Sequence, residues 1–170
     1  MQSFVPLLAL IHTLGAVVGT FFTTYAEIYY TRAARDGVID HHERKYLRHV
    51  YRGLKWGMAT VLVTGIAIIV IDYLAVGSAI DVLQGPFWAV IALTFFILLM
   101  SWLLARKQAV WWFASAALLS AWWMMLLIDL GFFNLFSFIS IFFIYIIFLF
   151  LVAGKMALWR LWLWKPRNLK

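Results

Sequence analysis

Apolar residues run through this chain in five long blocks separated by short polar stretches, and only the first block carries a regular line of polar positions. The blocks cover approximately residues 4–30, 54–74, 87–104, 109–130 and 135–157. Each approaches the roughly 20 apolar residues that a helix needs to cross about 30 Å of hydrocarbon. None shows the alternation of a barrel strand, and open sheet edges cannot stand in lipid, so the pattern predicts five transmembrane helices. The expected fold is all-α, an integral membrane helical bundle forming a single domain over 1–170.

The line in the first block consists of His12, Gly15, Gly19, Thr23 and Glu27. Steps of three or four residues place these on one narrow helix face. Such a face belongs against other helices, because glycine permits close backbone approach and a polar group in lipid needs a partner. The first block therefore reads as the organising element. A helical hairpin folded about Val38 sets Glu27 opposite His49, with Arg48 or Arg52 in reach after a small tilt, Gly19 opposite Gly57, and His12 opposite Thr64.

The connection between the first two blocks has its own grammar. In Asp36-Gly37-Val38-Ile39-Asp40, Gly37 can take the left-handed conformation that ends a helix, and Asp40 with Glu43 resembles an N-cap and its capping partner. Tyr46, Leu47, Val50, Tyr51 and Leu54 then make an apolar stripe flanked by Arg44, Lys45, Arg48 and Arg52. The second helix is thus expected to begin before the membrane, giving the helix 1–2 hairpin a cytoplasmic extension.

Composition agrees with this picture. The chain is 66% hydrophobic and 12% charged, against about 45–50% and about 25% in soluble domains. The absence of cysteine excludes disulfides, thiolate-held clusters and zinc-thiolate sites. The net charge of +7 is a matter of topology: all 14 Lys and Arg residues fall on one side of a five-span arrangement. By the positive-inside rule that side is cytoplasmic, which puts the N-terminus outside and the C-terminus inside, as in a bacterial inner membrane. Asp72, Asp81 and Asp129 form an acidic outer face. The basic tail over 158–170 mixes indoles with Arg160 and Lys165 and suits anionic headgroups at the interface. Trp56, Trp102, Trp111 and Trp112 mark inner boundaries, and Trp88, Trp122 and Trp123 mark the outer half. A nucleic-acid partner is not expected, since no soluble basic module or recognition motif is present.

Candidate chemistry is sparse. Residues 36–43 match the second half of an EF-hand loop, but Arg32 and Ala34 stand where that loop needs oxygen ligands. His41 and His42 are adjacent and point apart on a helix, and no two histidines stand at the i, i+4 spacing of zinc motifs. His12 lies roughly 12 Å into the first span by helix rise, while His49 is cytoplasmic. A haem bridging two helices needs two ligands at one depth, so haem would require a single protein ligand or one from a second subunit. His12 is the best single metal candidate. It is an ionisable group inside a span, functional by default, whose structural alternative is a hydrogen bond to a hydroxyl such as that of Thr64.

The run Ile11-His12-Thr13-Leu14-Gly15-Ala16-Val17-Val18-Gly19, with Glu27, Asp36-Gly37-Val38-Ile39-Asp40 and Glu43, resembles small uncharacterised bacterial multi-pass membrane proteins and, distantly, the copper-resistance-protein-D group. The likeness covers about the first 70 residues. It implies metal or redox handling, although this chain lacks further intramembrane histidines and methionine clusters. The leading expectation is a non-enzymatic membrane protein that handles a small cation or proton, or a membrane subunit of a complex that does. A haem-binding electron-transfer subunit and a structural or assembly subunit are the alternatives. The expected partners are membrane lipid, a second copy of the chain or a larger membrane complex.

Overall fold

The computed structural model describes residues 4–33, 41–76 and 84–163. They form five helices: α1 (Val5–Ala33), α2 (His41–Val76), α3 (Gly85–Ala105), α4 (Trp111–Asp129) and α5 (Phe138–Leu163). All five are long and apolar enough to span a membrane, and no strand occurs among the described residues. The turn expected at 34–40, Asp81 and the tail beyond Leu163 lie outside the described residues, as do the side chains of Asp72 and Glu43.

Local chemistry sets the helix ends. After α4, Gly131 adopts φ +84°, and the Phe132 and Gly131 amides donate to the carbonyls of Leu127 and Ile128 at 3.2 and 2.9 Å. This is a Schellman stop, which needs a left-handed residue past the helix end. The same pair of bonds closes α3, where Gln108 and Lys107 donate to Leu103 and Leu104 at 2.9 and 3.1 Å. There the left-handed position belongs to Lys107, at φ 57°. Helix α5 starts at Phe138 because the Ser137 hydroxyl accepts the Ser140 amide at 3.3 Å, an N-cap bond. It runs on to Leu163, so the first residues of the expected interfacial tail continue the helix. No proline interrupts the chain there until Pro166.

Helices α1 and α2 run antiparallel. Tyr29 of α1 lies over Tyr46 of α2, with ring centroids 5.4 Å apart, while His12 meets Thr64 at the other end of the same pair. Helix α4 also runs antiparallel to α1, and α3 and α5 pack on α4 and on each other. The starts of α3 and α5 are close enough that a side chain on Gly85 would strike the backbone of residues 136–138.

The centre of the bundle is α4, a departure from the expectation that the first helix organises the chain. Half of its membrane-length window is buried, against 22% to 28% for the other four helices. Its buried positions include Ala114, Ala117, Ser120 and Ala121, together with Trp122, Met124 and Met125. Small residues let three helices approach one, by the same close-approach argument that applies to glycine. Trp122 is only 2% exposed, so it is a core residue and not a boundary marker. The outside of the bundle is apolar, with Trp56, Phe95 and Phe150 each two-thirds or more exposed. An apolar surface on this scale marks contact with lipid or another apolar partner.

Candidate functional site

The polar line on α1 meets two different helices. Its glycines form the contact with α2: a Cβ on Gly57 would stand 3.0 Å from the Gly15 carbonyl oxygen and 3.0 Å from the Gly19 nitrogen. On the other side, a side chain on Gly19 would overlap the ring of Trp122. Gly19 is therefore held between the α2 backbone and an indole of α4. Thr20 completes this junction by donating to the Trp122 carbonyl at 3.0 Å, and the Trp123 indole donates to the Thr24 hydroxyl at 3.1 Å.

Nearer the start of α1, the same face presents His12. Its Nδ1 lies 2.9 Å from the Thr64 hydroxyl oxygen. The single proton of that hydroxyl is given to the Thr60 carbonyl, at 2.6 Å. With the hydroxyl proton so directed, Nδ1 donates to Thr64, the tautomer of a neutral ring that leaves a lone pair on Nε2. Gly65 makes room for the ring, since a Cβ there would lie 3.4 Å from His12 Cε1, an ordinary contact.

The Nε2 atom faces Asp129 Oδ1 at 3.7 Å, beyond hydrogen-bond range but within ion-pair range. The two side chains are 14% and 7% exposed. A lone pair set against an ionised carboxylate would be repulsive in such a place, and an isolated buried charge is costly. One proton between the two atoms removes both penalties and leaves the pair neutral as a whole. The other carboxylate oxygen, Oδ2, is buried without a hydrogen-bond partner among the described residues.

Beside this pair opens a cavity of about 430 Å³, walled by Leu62 and Ile66 of α2 and by Phe87, Ile91 and Phe95 of α3. His12, Thr94 and Asp129 are its polar contributors. The arrangement is thus two titratable groups at the edge of an apolar chamber.

The remaining sequence candidates lie elsewhere. Thr23 is buried and gives its hydroxyl to the Gly19 carbonyl at 2.8 Å, a bond within α1. Glu27 is buried and engaged in an interaction of its own, roughly 22 Å along the helix from His12 by the rise per residue. His49 directs Nδ1 to the Lys45 carbonyl at 2.8 Å, so the expected Glu27 contact is not what orients its ring. Arg52 is exposed. No group of three His, Asp or Glu residues suited to a metal ion occurs among the described residues. His12 Nδ1 is engaged by Thr64, so Nε2, which faces Asp129 at 3.7 Å, is the ring nitrogen that a haem iron would have to take.

Sequence reasoning assigned Asp129 to the acidic outer face and missed it as the partner of His12. A usable signal existed. Asp129 lies about two turns beyond Trp122, and His12 about two turns before Gly19, so an antiparallel pair joined at Gly19 and Trp122 brings the two polar groups together. Thr20 was missed for a different reason: it stands one position off the regular line of polar residues. No protein family, curated protein or solved structure matches the chain.

Proposed function

We propose that the chain is an integral membrane protein of five spans, with its N-terminus outside and its C-terminus in the cytoplasm, that handles a proton at the His12–Asp129 pair. The orientation rests on the one-sided distribution of Lys and Arg. The observation that carries the function is the 3.7 Å approach of His12 Nε2 to Asp129 Oδ1 next to an open cavity. Ionisable groups within a span are expensive to keep, and a merely structural histidine is already satisfied by Thr64. Asp129 adds a second titratable group where packing alone asks for none. Two such groups can pass a proton between them with little movement. A desolvated metal ion would need further ligands, and among the described residues no third acidic residue or histidine stands with the pair.

The test is proton flux in proteoliposomes carrying the full chain under an imposed pH gradient, read by an entrapped pH-sensitive dye. The protein should dissipate the gradient faster than empty vesicles. His12→Gln and Asp129→Asn should each return the rate to that of empty vesicles while the purified variants still melt cooperatively. Equal flux in the parent and both folded variants would reject the pair as the proton site.

A further inference from the structure

We infer that the cavity beside Asp129 binds a lipophilic ammonium compound, an apolar body carrying a protonated amine, in exchange for the proton held by the pair. The inference rests on the proton reading above and names the molecule with which the proton competes.

Four observations carry it. Asp129 is 7% exposed, and its Oδ2 has no hydrogen-bond partner among the described residues. A buried carboxylate short of donors is costly, and an N–H donor reaching Asp129 from the edge of the cavity would relieve it. The cavity, at about 430 Å³, falls within the roughly 300–1,000 Å³ typical of small-molecule sites. Its walls are aliphatic and aromatic, which suits an apolar body and fails a bare inorganic cation, because a hard cation requires about six to eight oxygen ligands. The half-buried Phe87 also supplies an aromatic ring, which attracts an ammonium group in a desolvated place.

Charge accounting selects a cation. With one proton between His12 and Asp129, the pair is neutral. When that proton leaves, the site holds neutral His12 and ionised Asp129, one negative charge in all. An incoming ammonium restores neutrality by pairing with the Asp129 carboxylate at the cavity edge. Proton and ammonium therefore replace one another without leaving net charge in the bundle. His12 and Asp129 are the only titratable side chains among the described residues that line the cavity: the α2 and α3 walls contribute Thr94 but no acid or base. A second cavity of about 420 Å³ between α3, α4 and α5 provides a contrast, because no charged residue lines it and it offers no anchor for a cationic head.

The experiment is calorimetric titration of the detergent-purified full chain with an aryl-alkyl tertiary amine, protonated at pH 7, in buffers of different ionisation enthalpy. We expect saturable binding accompanied by release of approximately one proton per amine bound. Asp129→Asn should weaken binding roughly tenfold or more, the scale of a lost hydrogen bond to a charged group. Ile91→Trp, which fills the chamber without altering the pair, should also weaken it, and thermal melts establish that each variant is folded. A neutral alcohol of the same shape should bind at least roughly tenfold more weakly than the amine. Equal affinity for alcohol and amine, binding without proton release, or no binding to the folded parent chain would each overturn the inference. Absence of amine binding alongside His12-dependent proton flux would remove the ligand and leave the proton site standing. Amine binding with proton release but no flux would retain the ligand site and remove the transport reading.

Discussion

Trp122 fills the notch that Gly19 leaves in α1, its ring occupying the space where a side chain on Gly19 would stand. Since Trp122 is 2% exposed and surrounded by packed residues, the ring has nowhere to retreat. Gly19→Ala should therefore destabilise the protein by about 1–3 kcal/mol, the usual cost of overpacking. Trp122→Leu frees that space at its own cost in packing. The double variant should be more stable than the sum of the two single losses predicts, a coupling that thermal unfolding in detergent can measure.

Two glycines of α2 should respond in opposite ways. A methyl group at Gly57 would press on the α1 backbone, 3.0 Å from Gly15 O and Gly19 N, and backbone cannot rotate aside. Gly57→Ala is expected to open the hairpin and lower the melting temperature. At Gly65 the added methyl meets only the edge of the His12 ring at 3.4 Å. Gly65→Ala should be neutral or stabilising, by up to the ~1 kcal/mol that alanine gains over glycine within a helix.

Thr64→Val keeps the shape of the side chain and removes the oxygen that accepts from His12 Nδ1. The loss of stability should be modest, about 0.5–1.5 kcal/mol, in keeping with the small net worth of hydrogen bonds between membrane helices. The larger effect should fall on proton flux, because the ring is no longer held in the tautomer that turns a lone pair toward Asp129. A variant with parent-like flux would show that Thr64 does not position the imidazole.

Accessibility to a membrane-impermeant thiol reagent tests the orientation, made simple by a chain that has no cysteine of its own. His41→Cys and Gln84→Cys lie at opposite ends of α2 and its following connection. In intact cells the probe at 84 should label and the probe at 41 should be protected, and the reverse pattern would invert the topology.

Lys107 holds a left-handed conformation, φ 57°, where glycine normally ends a helix. A residue with a Cβ is penalised there. Lys107→Gly should consequently raise stability by about 0.5–1 kcal/mol after the greater unfolded freedom of glycine is counted. Chemical denaturation of the two forms side by side supplies the measurement.

The sequence made the helices legible because each apolar block is long, although Ser137, which caps α5, lay unread inside the expected fifth block. It also made the α1–α2 register legible, since the line from His12 to Glu27 has a direction and the turn near Val38 fixes its fold-back. The place of α4 was hidden for a physical reason. When both the lipid-facing and the core-facing sides of a helix are apolar, no periodic contrast separates them. Ala114, Ala117 and Ala121 then look like ordinary span residues until their neighbours are known. Asp129 was hidden in turn, because its role depends on where α4 sits, and a lone acid at the end of a span reads as a boundary charge. The aromatic ladder of Phe21, Tyr25 and Tyr29 could have been traced along α1, yet its continuation to Tyr46 requires the hairpin.

That α4 is both the hub of the bundle and the fourth helix to be made gives the chain a timetable. The ribosome delivers α1 and α2 first, and their glycine contact needs nothing that comes later. The ring that fills the Gly19 notch and the acceptor for Thr20 are supplied only when synthesis reaches α4, and Asp129 comes last of that helix. Until then the His12 side chain has only its α2 neighbours, Thr64 among them. The arrival of α4 beside the first hairpin therefore closes the hairpin's open flank and completes the His12–Asp129 pair in the same step.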